Sequence, residues 1–138
     1  MSDLRVHKTK YINETKRVSF KYDGKNYFGY EGDTLASALL ANGVHLIGRS
    51  FKYHRPRGIM SCGSEEPNAI CQISDKNDLT EPNVRATEIE IYDGLEAFSQ
   101  NCWPNVKFDI GGINNLISPL IPAGFYYKTF MWPKSFWK

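Results

Sequence analysis

Val18, Phe20 and Tyr22 alternate with Ser19 and Lys21, and Asp23-Gly24 follows at once. A period of two places the apolar side chains on one face of a half-buried strand. Asp-Gly supplies the positive φ of a tight turn. Asn26 to Tyr30 then reads as the returning strand, and residues 17–30 as a hairpin. The next segment changes period. Asp33 can cap a helix through its carboxylate, and Leu35, Ala36, Ala38, Leu39 and Leu40 follow. Gly43 stands where a left-handed C-terminal residue belongs. The expectation is a helix over residues 34–42 packed on the hairpin, with a short strand at Val44 to Ile47.

The chain has 138 residues, 41% hydrophobic and 14% aromatic, enough for one domain with a core. A net charge of +2 gives little reason to expect a polyanion partner. No apolar run is long enough to span a membrane. The opening segment MSDLRVHKTKYINETKR lacks the apolar stretch of a signal peptide, so a cytoplasmic location is expected. Cys62, Cys71 and Cys102 are an odd, sparse set, read as reduced thiols.

Residues 48–68 carry Gly48, Pro56, Gly58, Gly63 and Pro67 and read as a long ordered loop, the kind that carries function or wraps a ligand. Ala69 to Ile73 is strand-like. Pro82-Asn83 marks a turn. Arg85 to Tyr92 alternates, with Thr87, Ile89 and Ile91 opposite Glu88 and Glu90, and reads as a strand against which Leu95 to Ser99 pairs back. Hairpin, helix, loop, strand, strand implies an α+β chain of the β-grasp type, a mixed sheet crossed by one main helix. The expected organisation is a flexible segment over residues 1–16, a domain over 17–103, and a C-terminal extension over 104–138. In the extension, Asp109 starts a short helix over Ile110 to Ile117, weakened by Gly111 and Gly112 and ended by Pro119 and Pro122. Phe125, Tyr126, Tyr127, Phe130, Trp132, Phe136 and Trp137 crowd its end. So much apolar surface either folds back or docks on another protein, and docking is the expectation.

The chemistry-bearing residues form no catalytic constellation. The chain has no dinucleotide fingerprint after a strand and no phosphate-cradling P-loop. Arg49, Lys52, His54, Arg55 and Arg57 form a basic run interleaved with Phe51 and Tyr53. Such a run suits an acidic partner surface, a nucleotide or flavin phosphate, or arginines bonding the loop's own carbonyls and Glu65 or Glu66. It also suits single-stranded nucleic acid, where bases stack and phosphates pair. The rest of the chain is not basic, which argues against nucleic acid. His54 has no nucleophile or paired acid beside it in sequence. His7 and His45 are uninformative. Glu65 and Glu66 adjoin without defining a site.

The order of elements resembles a plant-type ferredoxin domain, which binds a 2Fe–2S cluster through four thiolates spaced C-x4-C-x2-C with a fourth Cys farther on. Counting from Cys62 lands on Pro67 and Ile70. Registering the loop on RPRG and on the following strand instead places the ligand positions at Ser61, Glu66, Ala69 and Thr87, none of them a thiol. No metal is therefore expected. One rival reading is an electron-transfer or metal-binding ferredoxin-like protein with an unusual site at Cys62 and Cys71. Another is a small nucleic-acid-binding module using Arg49 to Arg57.

The strings DTLASALLANGV, GRSFKYHRPRGI, EEPNA, EPNVRATEIEIYDGL, SQNCWP and PAGFYYKTFMWP, in order and at fitting spacing, resemble the N-terminal region of the alpha subunit of heterotetrameric sarcosine oxidase. The likeness runs from about Arg17 to Trp137. That type also lacks cluster cysteines. The resemblance implies an assembly of alpha, beta, gamma and delta subunits carrying FAD, FMN and NAD, with zinc in delta. Such an assembly demethylates sarcosine to glycine, forms peroxide and passes the one-carbon unit to tetrahydrofolate. The implied alpha subunit continues past this region, so the chain is expected to be a fragment or a separately encoded part. Its expected role is structural, with no catalytic residue of its own and the rest of alpha and the other subunits as partners.

Overall fold

The computed structural model describes residues 4–5, 10–74 and 79–120. β1 (Asn13–Tyr22) and β2 (Lys25–Glu31) form the expected antiparallel hairpin, in register from Arg17 opposite Tyr30 to Tyr22 opposite Lys25. The alternation has its predicted consequence, since Val18, Phe20 and Tyr22 are buried and Ser19 and Lys21 are exposed. β1 begins four residues earlier than expected. Asn13 lies opposite Glu31 across a register shift, and its side chain donates to the Glu31 carboxylate at 3.0 Å, so residues 13–16 belong to the sheet and not to a loose leader.

α1 (Leu35–Ala41) packs its buried Leu35, Ala36, Ala38, Leu39 and Ala41 against this sheet. Its cap is Thr34, not Asp33. The Thr34 hydroxyl accepts the Ser37 N–H at 3.2 Å. The Asp33 carboxylate, fully buried, instead accepts the Tyr30 N–H at 2.9 Å and the Ser37 hydroxyl at 2.8 Å, and pairs with Arg5 at 2.6 Å. Gly43 takes φ +75° as expected past the helix. Gly29 lets α1 approach β2 closely, because a Cβ there would stand 3.1 Å from that of Ala38.

Val44 to Ile47 is not a strand. That stretch runs without a ladder into β3 (Gly48–Arg49), which pairs with β4 (Pro56–Arg57) as a small separate ribbon. β5 (Ile70–Ser74) pairs with β6 (Thr80–Arg85), so Pro82-Asn83 lies in a strand and not in a turn. β6 is an edge strand, where a proline sacrifices no central ladder bond. Asn83 there adopts φ +61°.

Residues 86–92 are not a strand either. They keep alternating burial, with Thr87 and Ile91 inside and Glu88 and Glu90 outside, but form only an isolated bridge between Glu90 and Thr34. Their carbonyls serve the helix instead. Leu35 N–H donates to Ile89 at 2.7 Å and Ala36 N–H to Ala86 at 2.8 Å, satisfying donors that the first turn of a helix leaves open. β7 (Leu95–Ser99) consequently pairs parallel with β1 and antiparallel with β5. The sheet order is β2-β1-β7-β5-β6, a mixed five-stranded sheet crossed by one main helix, which is the β-grasp arrangement. Phe20, Tyr22, Leu35, Leu39, Ile47 and Leu95 are at most 2% exposed and fill the core. Each contributes about 1.5–3 kcal/mol through burial.

Beyond the sheet, a 3-10 turn over Ile110–Gly112 leads into α2 (Ile113–Leu116). Asp109 caps that turn as expected, accepting the Gly111 N–H at 3.1 Å. The two glycines carry the 3-10 portion, and a further 3-10 turn at Ser118–Leu120 follows. The seven aromatics from Phe125 to Trp137 lie outside the described residues.

Candidate functional site

The loop between β4 and β5 wraps a single carboxylate. Glu66 is only 1% exposed. One of its oxygens accepts the backbone N–H groups of Met60 at 2.7 Å and Ser61 at 2.6 Å, and the Ser61 hydroxyl at 3.3 Å. The other accepts the N–H groups of Asn68 at 2.7 Å and Ala69 at 3.1 Å. Burial alone would raise the Glu66 pKa. The four backbone donors outweigh it and hold the carboxyl at about 2, so it is ionised at neutral pH.

Three of the four sequence-derived ligand positions, Ser61, Glu66 and Ala69, meet at this point. The amides of Ser61 and Ala69 both touch the Glu66 carboxylate. Thr87, 6% exposed, donates its hydroxyl to the Gly63 carbonyl at 2.8 Å, and its neighbour Ala86 donates its N–H to the Ala69 carbonyl at 2.8 Å. The Arg85 side chain donates to the Glu66 carbonyl at 3.2 Å and fastens the loop to the sheet edge.

Cys62 and Cys71 do not share a site. Cys62 is exposed, while Cys71 is fully buried within the core cluster, and burial pushes its thiol up to about 12. Cys102 lies 3.2 Å from the Ser99 hydroxyl. Among the described residues, no group of three or more His, Cys, Asp and Glu side chains is placed to hold a metal ion.

The basic run is drawn onto the chain's own C-terminal segment. The Arg49 guanidinium donates to the carbonyls of Val106 at 2.9 Å, His54 at 3.1 Å and Lys107 at 3.3 Å. His54 sits 2.7 Å from Asp109, whose other oxygen also accepts the Trp103 N–H at 2.9 Å. Burial alone would raise the Asp109 pKa, but the Trp103 amide and the His54 bond together hold it low. Arg55 bonds the Asn115 side chain at 3.0 Å and, like Lys52, lies over the Tyr53 ring. Arg57 bonds the Asn68 side chain beside the Glu66 loop. These residues knit residues 49–57 to residues 103–115, and no nucleophile stands among these contacts. The sequence reading missed the His54–Asp109 pair, because 55 positions separate its members and no local pattern links them. It also missed the role of Glu66, although an acidic residue at a thiolate position was a usable signal.

A groove of about 510 Å³ lies beside Tyr22, Tyr27, His45 and Val106. Its Tyr22 hydroxyl already donates to the Ile47 carbonyl, and burial raises that phenol far above its ordinary value, so it supplies no acid or base at neutral pH. Apolar side chains are exposed along the C-terminal segment: Trp103, Phe108, Ile110, Ile113, Leu116 and Ile117. No helix among the described residues is long and apolar enough to cross a membrane.

The 2Fe-2S iron-sulfur cluster binding domain family matches residues 15–102. The chain is 56% identical over all 138 residues to a sarcosine oxidase subunit alpha from Rhizobium meliloti (strain 1021), and spans 14% of that protein. It is 41% identical over 88 residues, 62% of this chain and 9% of the relative, to a sarcosine oxidase subunit alpha from Corynebacterium sp. (strain U-96). The crystal structure of L-proline dehydrogenase from P. horikoshii superposes with a TM-score of 0.52 at 25% identity, over 70% of this chain and 18% of that one. A plant-type 2Fe–2S cluster is held by four thiolates. Here the four positions offer two hydroxyls, a methyl group and a carboxylate already saturated by amides, and this donor set does not fit the cluster. The chain belongs to the 2Fe-2S iron-sulfur cluster binding domain family.

Proposed function

We propose that this chain is the scaffold domain of a sarcosine-oxidase-type alpha subunit, free of a cluster and without catalytic residues of its own. The observation that carries this reading is identity of 56% across the whole chain to a protein of which the chain spans only 14%. A segment so small, held at that identity and lacking a donor set for chemistry, contributes contact area and geometry to a larger enzyme. The exposed apolar residues between Trp103 and Ile117 support this, since a lone monomer gains nothing by wetting them. They lie in the 104–138 extension or at its edge. With the aromatics Phe125 to Trp137 they form the proposed contact with the rest of alpha and with the beta, gamma and delta subunits. FAD, FMN, NAD and tetrahydrofolate, and the demethylation of sarcosine with peroxide formation, belong in this proposal to those other parts. The proposed location is the cytoplasm.

The test is native mass spectrometry of the assembly captured through this chain from its own cells, with a sarcosine-dependent peroxide assay on the same material. The reading expects larger flavin-containing subunits and peroxide formed only with sarcosine. Recovery of the chain by itself, or of an assembly inert to sarcosine, overturns it.

A further inference from the structure

The loop over residues 60–69 is built to hold negative charge. Four consecutive-region amides, those of Met60, Ser61, Asn68 and Ala69, point at one spot at 2.6–3.1 Å from the oxygens there. Converging backbone N–H groups form an anion-binding concavity, the arrangement that also surrounds many iron–sulfur sites. A ferric 2Fe–2S cluster with its four thiolates is itself an anion of about −2, and hydrogen bonds to its sulfurs tune it. In this chain three of the four sequence-derived ligand positions, Ser61, Glu66 and Ala69, meet at that spot, and the fourth, Thr87, bonds the Gly63 carbonyl of the same loop.

We infer that the Glu66 carboxylate is a built-in anion that stands in for the cluster, and that truncating it uncovers a binding site for a free small carboxylate. The loop keeps its shape because its amides still have a charge to point at. Without one, four buried or half-buried donors lose their acceptor, and each such loss is costly. The pull of these amides on the carboxyl, which keeps it ionised despite burial, agrees with that role. The inference rests on loop geometry and family membership alone, so it stands or falls separately from the sarcosine reading.

The experiment is thermal unfolding of the full chain and of Glu66→Ala and Glu66→Gln, in sodium formate or in sodium chloride of equal ionic strength. Glu66→Ala is expected to melt about 10 °C below the parent. Formate should recover much of that loss where chloride does not, and should leave the parent unmoved. Should Glu66→Ala not fold, Glu66→Gln decides: it keeps the shape, loses the charge, and is expected to melt at least ~5 °C low. An alanine variant indifferent to formate beyond the chloride control overturns the inference. So does a glutamine variant as stable as the parent.

Discussion

Acid should unfold this domain partly through Glu66, and the contribution can be isolated. The carboxyl is held at about 2, against an ordinary 4.5. A carboxyl depressed in the folded state stabilises above its unfolded value and loses that stabilisation as pH falls through the folded one, here between roughly pH 5 and pH 2. At about 1.4 kcal/mol per pH unit the full linkage is about 3.5 kcal/mol. Down to pH 2.5, still above the folded value, roughly 2 kcal/mol or slightly more of this is lost. Glu31, Glu65, Asp93 and Asp109 are also held low and steepen the same part of the curve. The informative quantity is therefore the difference between parent and Glu66→Gln. Urea unfolding at steps from pH 7 to pH 2.5 should show the parent losing about 2 kcal/mol more than the variant, so that a clear gap at pH 7 narrows towards acid. Parallel curves at all pH values would refute the reasoning, because they would mean that the amides gain nothing from the charge.

Thr34→Ala removes the cap of α1 and should cost about 1 kcal/mol, read as a drop of several degrees in Tm with the fold unchanged by circular dichroism. Asp109→Ala removes the acceptor shared by His54, Trp103 and Gly111. It should cost about 2–3 kcal/mol and, by hydrogen exchange, loosen residues 49–57 together with residues 103–112 while the sheet stays protected.

The hairpin and the main helix were legible because their signals are local. Period two from Val18 to Tyr22, a turn dipeptide, and Gly43 past Ala41 each act within a few residues. Residues 86–92 misled the reading for an instructive reason. Residues 86–88 form a turn, and burial alternates from Thr87 to Ile91 without a strand ladder, so the pattern of burial alone does not mark a strand. Whether such a segment joins a ladder depends on what else needs its carbonyls, and here the amides of Leu35 and Ala36 took them. Those lie some fifty positions away in sequence. The exchange of Asp33 for Thr34 as cap has a similar origin, since Arg5 and the Tyr30 amide had claims on the Asp33 carboxylate. In the loop, the sequence singles out Ser61, Glu66, Ala69 and Thr87, and the fold brings the first three of them together. Sequence could not reveal that Glu66 turns inward and gathers the amides of Met60, Ser61, Asn68 and Ala69, because that depends on backbone direction across a long loop of irregular conformation. The basic run was legible as charge and not as contact, since Val106, Lys107 and Asp109 reach it only through the fold.

A Glu66 carboxylate in the place of the cluster leaves the chain unable to take up an iron–sulfur centre. This can be checked by anaerobic reconstitution with ferrous iron and sulfide, followed by desalting and determination of iron, acid-labile sulfide and visible absorption. A colourless full chain retaining neither element is expected. About two irons and two sulfides per chain, with the absorption of a 2Fe–2S centre, would overturn the proposal.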